Sequence, residues 1–110
     1  MKDLARQAKI EYGDFQTPLE LAKLVCQKLD GLGVSPDVII EPTCGVGAFV
    51  EASAYQFLQA KKIIGIEVNQ PYLQEIQKRK TAFPAKERIT LKQGDFFEFD
   101  WNRTFKNING

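Results

Sequence analysis

Three times along this chain a short β-branched run closes on an acid, with a helical pattern between successive runs, and this recurrence constrains the fold more than any other feature. Val38-Ile39-Ile40 ends at Glu41, Ile63-Ile64-Gly65-Ile66 ends at Glu67, and Ile89-Thr90-Leu91 closes on Gly94-Asp95. Apolar runs of this length, bounded by turn residues such as Ser35-Pro36 and Pro42, read as strands buried on both faces. Strand alternating with helix implies parallel strands joined by right-handed crossovers. In such an open α/β sheet the ligand site lies beyond the carboxyl ends of the strands, which is where the acids fall.

The helices announce themselves at their ends. Thr17-Pro18-Leu19-Glu20 predicts a helix start, with Thr17 as N-cap, Pro18 in the first turn and Glu20 three residues after the cap. Leu19, Leu21, Ala22, Val25, Cys26 and Leu29 follow at helical spacing, and Gly31-Leu32-Gly33 ends the helix. A second helix is expected from Val46 to about Ala60, carrying Phe49, Val50, Ala52, Ala54 and Phe57. Asn69 and Pro71 open a third, with Tyr72, Leu73 and Ile76 on its apolar face. Phe97, Phe99 and Trp101 are expected to pack as an extended tail against the core. Residues 1–16 read as an N-terminal arm and 17–110 as one domain.

Composition excludes several functions. The net charge of +1, from 15 Lys and Arg against 14 Asp and Glu, gives no strong field for nucleic acid or anionic lipid. Lys78, Arg79, Lys80, Lys86, Arg88 and Lys92 therefore read as solvated surface. The apolar stretches are too short for a membrane span and the start does not resemble a secretory signal, so a cytoplasmic location is expected. Cys26 and Cys44 fall in a helical pattern and a glycine-rich loop, which argues against a disulfide. With no His in the chain, a metal site or a catalytic triad is not expected.

The chemistry is concentrated at the strand ends. Glu41-Pro42-Thr43-Cys44-Gly45-Val46-Gly47, between a strand and a helix, sets two glycines where backbone can pass close to a ligand with no Cβ in the way. A paired-glycine turn alone is equally compatible with a tight connection. Glu67 follows Gly47 by about twenty residues at the end of the next strand, where a carboxylate can accept from both hydroxyls of a ribose. Asp95 and Phe96 repeat the arrangement, an acid and a flat ring that suit the amino group and face of an adenine.

Together these residues resemble the class I S-adenosylmethionine-dependent methyltransferases, and among them the adenine-specific DNA amino-methyltransferases of restriction-modification systems. The resemblance spans most of residues 12–100 and is most specific over Glu41-Pro42-Thr43-Cys44-Gly45-Val46-Gly47-Ala48-Phe49, with an acid, proline, glycines and an aromatic opening the helix. It implies a partial Rossmann-like open parallel sheet, the first three strands of that fold with their flanking helices. It also implies that Gly13-Asp14-Phe15-Gln16-Thr17-Pro18 closes over the methionine part of the cofactor, with Phe15 in that segment and Thr17 near the carboxylate. By the same resemblance Glu41 faces the methionine amino and sulfonium end, and Gly45 and Gly47 admit the cofactor within a loop shared by Pro42, Cys44 and Phe49. Glu67 would hold the ribose, Asp95 and Phe96 the adenine, and Val68 the other adenine face.

One expected element is absent. Members of that family transfer the methyl group with a motif like Asn-Pro-Pro-Tyr after the fourth strand, which grips a flipped-out base. The five prolines here, at positions 18, 36, 42, 71 and 84, are never adjacent, so no residue is assigned as catalytic and the chain alone is expected to be inactive. The sheet of such a fold pairs its first strand with the fourth, so the Val38-Ile39-Ile40 edge is expected to associate with the missing remainder or with another chain. Any contact with DNA would come through parts not in this sequence.

Other classes of protein share some of these features. RNA and protein methyltransferases share the cofactor loop, and a non-catalytic partner subunit would need no transfer motif. A nicotinamide-dependent oxidoreductase also uses a glycine turn and a later acid, but its Gly-x-Gly-x-x-Gly pattern would need glycine where Val50 stands. Cys44 is not read as a nucleophile, since no neighbouring base would lower its pKa.

Overall fold

A computed structural model describes residues 16–42, 44–95, 97, 98, 100, 102 and 103. The elements are α1 (Leu19–Gly31), β1 (Val38–Glu41), α2 (Ala48–Gln56), β2 (Lys62–Glu67), α3 (Gln70–Lys80), a 3-10 turn (Lys86–Arg88) and β3 (Ile89–Gln93). The strands form one parallel sheet in the order β1-β2-β3. This is the α/β arrangement that the alternation of strand and helix demands.

Several boundaries differ from the sequence expectation, each for a local reason. Helix α1 begins at Leu19 with Pro18 in the N-cap position, φ −60° and ψ 139°, and no side chain caps it. Thr17 is therefore not the N-cap: the extended Pro18 delays the helix by one residue. Helix α2 is shorter than Val46 to Ala60, because Gly47 is left-handed at its start and Phe57 leaves helical geometry at its end. Asn69 caps α3 as expected, its side chain accepting from the Tyr72 N–H at 3.1 Å.

Burial follows position in the sheet. In the middle strand β2, Ile63 through Glu67 are all buried, the two-sided burial expected of such a run. β1 departs from that expectation, with all four residues only half-buried, because it is the end strand among the described residues. Phe97 contradicts the reading of a packed aromatic tail, being 90% exposed, while Phe99 and Trp101 lie outside the described residues.

Two clusters make the core. In one, Val50 and Ala54 of α2 meet Leu73 and Ile76 of α3 over Ile63 and Ile89 of the sheet. In the other, Ala22 and Cys26 of α1 pack on Ala48 and Ala52 of α2, with Phe57 and Ala60. The small side chains at this second contact let the two helix backbones approach closely, leaving α2 wedged between α1 and α3.

Arg88 secures the end of that wedge. Its Nη1 donates to the Phe57 and Ala60 carbonyls at 2.7 and 2.8 Å, and its Nη2 to the Ala54 carbonyl at 2.7 Å. Ala54 lies in the last turn of α2, where carbonyls lack a helical partner, and Phe57 and Ala60 lie in the exit just beyond it; a cation there also complements the helix dipole. Arg88 is thus bound into the fold and is not part of a solvated basic face.

Candidate functional site

The carboxyl ends of the strands converge on the loop between β1 and α2. In register, Glu41 pairs with Gly65 and Glu67 with Gln93, so β1 stops two residues short of β2, β2 and β3 end level, and Asp95 lies two residues beyond β3. The loop returns across this edge: the Cys44 N–H donates to the Ile66 carbonyl at 2.8 Å. Gly45 and Gly47 have φ values of +56° and +93°, a region that favours glycine.

Glu67 ties the loop to β2. One carboxylate oxygen accepts from the Gly45 N–H at 2.7 Å and the other from the Asn69 N–H at 2.8 Å, and the residue is 8% exposed. A buried carboxylate is tolerated because both oxygens are met by backbone donors, one at the start of α3. Each oxygen keeps a second acceptor direction for an incoming hydroxyl.

Cys44 lies beneath the same loop. Burial, reinforced by the charges of Glu67 and Glu41, pushes its thiol up from an ordinary 9.0 to about 12. The thiol is protonated at neutral pH and unsuited to nucleophilic attack, as the sequence implied. Cys26 is also raised, chiefly by burial, and both cysteines are free.

The remaining sequence candidates divide. Pro42 and Phe49 are half-buried beside the loop, Thr17 is half-buried ahead of α1, Val68 is 61% exposed, and Asp95 is exposed at the rim with its carboxylate accepting from the Phe97 N–H at 2.9 Å. Phe15 and Phe96 lie outside the described residues. Two further residues touch the loop: Gln16, from the segment expected to close over the cofactor, and Arg79, which is tied to Val46 and Glu51 and so is not the solvated surface cation expected from the sequence. Gln16 Oε1 accepts from the Val46 N–H at 3.0 Å, and Arg79 Nη1 donates to the Val46 carbonyl at 2.9 Å. Among the described residues no cluster of His, Cys, Asp and Glu could hold a metal.

Three parallel strands with flanking helices and a glycine loop folded over their carboxyl edge are the architecture of the class I methyltransferases, and solved structures share it. The M. jannaschii tRNA m1G37 methyltransferase matches with a TM-score of 0.60 and 25% identity, covering 78% of this chain and 25% of its own. An RNA methyltransferase from Salinibacter ruber in complex with S-adenosyl-L-homocysteine matches with a TM-score of 0.60 and 23% identity, over 77% and 53% of the two chains. In sequence, the chain is 54% identical over 103 residues to the Type II methyltransferase M.NspV of Nostoc sp. (strain ATCC 29411 / PCC 7524). That alignment covers 94% of this chain and 21% of M.NspV, so the chain spans about a fifth of that relative's length. No family model matches. By its fold and by this relative, the chain has the family resemblance of an S-adenosylmethionine-dependent methyltransferase.

Proposed function

We propose that this chain binds S-adenosylmethionine across the glycine loop and serves as the cofactor-binding part of a methyltransferase acting on the exocyclic amino group of adenine in DNA. The observation that carries the cofactor reading is Glu67, the acid at the end of β2, hydrogen-bonded to Gly45 of the loop. An adenosyl ligand lying over that loop would meet backbone without a Cβ at Gly45 and Gly47, and its ribose hydroxyls could donate to the free acceptor directions of Glu67. Glu41 and Thr17 are assigned to the methionine end, with Pro42, Cys44 and Phe49 shaping the loop, and Val68 and Asp95 to the adenine. Phe15 and Phe96 keep their proposed roles from the sequence resemblance alone. Bound cofactor supplies an electrophilic methyl group, while the chain's own residues bind and orient it.

The Type II methyltransferase relative at 54% identity supports the DNA assignment, whereas the RNA methyltransferases that share the fold match at 23–25% identity. The chain alone would transfer no methyl group, since no Asn-Pro-Pro-Tyr-like stretch occurs in it. Thermal shift with S-adenosylhomocysteine and with NAD tests the cofactor reading. Stabilisation by the first alone is the expected result, and stabilisation by NAD alone would overturn it.

The edge of β1 is assigned to a further parallel strand, supplied by methyltransferase sequence of the kind by which M.NspV exceeds this chain. Support comes from the half-buried strand and from the apolar groove beside it, lined by Val25, Leu29, Val34, Val38, Ile39 and Phe49. Co-expression with the corresponding remainder of an M.NspV-type methyltransferase should yield a co-purifying complex. Two separately folding, non-associating pieces would count against it. No helix among the described residues is long and apolar enough to cross a membrane.

A further inference from the structure

We propose that Arg79 is a positioning residue for the cofactor, holding the Val46–Gly47 peptide so that the glycine loop presents its open face; this rests on the cofactor reading above. Val46 stands between two left-handed glycines, and neither neighbour has a Cβ to resist rotation of the intervening peptides. Their orientation is therefore set by hydrogen bonds. The peptide joining Val46 to Gly47 is held at both ends, its oxygen accepting from Arg79 Nη1 at 2.9 Å and its N–H donating to the Cys44 carbonyl at 2.8 Å.

Arg79 is itself anchored. Its Nη2 pairs with the carboxylate of Glu51 in the first turn of α2, and the two side chains are 34% and 16% exposed. Ile76, one turn earlier on α3 and hence on the same face, occupies the space where Gly47 lacks a Cβ. α3 thus braces the loop at two adjacent points, one apolar and one charged. A planar guanidinium can reach Val46 and Glu51 together through different nitrogens, whereas a lysine ammonium is a single point that would give up one of them.

Calorimetric titration of this chain with S-adenosylhomocysteine tests the assignment, comparing the unaltered protein with Arg79→Ala, Arg79→Lys and Arg88→Lys. Arg79→Ala should weaken binding by about tenfold or more, and Arg79→Lys should recover only part of that loss. Arg88→Lys, which weakens the far end of α2, should lower the melting temperature and leave affinity within about twofold, separating loop positioning from general stability. If Arg79→Ala does not fold, Arg79→Lys decides, because it keeps a cation beside Glu51. Variants that bind as tightly as the unaltered chain would overturn the positioning role alone. Failure of the unaltered chain to bind would overturn the cofactor reading and this proposal with it.

Discussion

Ile76 fills the space that Gly47 leaves by having no Cβ, and this contact locks α3 against the loop that opens α2. Gly47→Ala would drive a methyl group into a fully buried isoleucine while holding a non-glycine residue at φ +93°. The expected cost is about 3 kcal/mol or more. At Gly45 the nearest atoms to an added Cβ belong to the carboxamide end of Gln16, a flexible side chain that can move at the loss of its hydrogen bond from Val46, so Gly45→Ala should cost less, about 2 kcal/mol. Urea denaturation of the two variants should reproduce this order.

Glu67→Gln replaces a carboxylate that satisfies two backbone donors by an amide with one oxygen. The amide nitrogen would then face either the Gly45 or the Asn69 N–H, donor against donor. A loss of about 1–3 kcal/mol in stability is expected, together with weaker binding of S-adenosylhomocysteine. Denaturation and calorimetry on the same preparation check both.

The thiol of Cys44 should be inert at pH 8 in the folded chain and react with iodoacetamide only after unfolding. Its titration also bears on stability. The unfolded thiol releases its proton near 9.0 and the folded one at about 12, so over that window the unfolded state binds fewer protons. The stabilising contribution is complete below 9.0 and declines as pH rises through the interval. Cys44→Ala should flatten this decline in a pH series of denaturation curves.

Removing the guanidinium in Arg88→Ala would leave the Ala54, Phe57 and Ala60 carbonyls without their charged donor. A destabilisation of about 2–4 kcal/mol is expected, measurable as a lowered denaturation midpoint.

The strands and the acids were legible in the sequence because they depend on local pattern. A β-branched run between turn residues has few other uses, and an acid directly after it must lie at the strand's carboxyl end. The same reading places Glu67 at the end of β2 and Gly45 and Gly47 in the loop, and the structure adds the hydrogen bond that joins acid to loop. The contacts of Gln16 and Arg79 with the loop were not legible, since their partner Val46 is 30 and 33 residues away in sequence and no spacing rule links them. The same holds for Arg88, which reads as one more surface cation until α2 is folded beside it. Thr17 shows the opposite failure, a local capping signal overruled by the extended backbone of Pro18 next to it.

Arg88 reaches carbonyls at and just beyond the end of α2, 28 to 34 positions earlier in the chain. During synthesis from the amino terminus, α2 and β2 leave the ribosome well before the side chain that finishes α2 does. The exit of α2 therefore gains this charged donor only once Arg88, immediately ahead of β3, has emerged, which ties the end of the second helix to the arrival of the third strand.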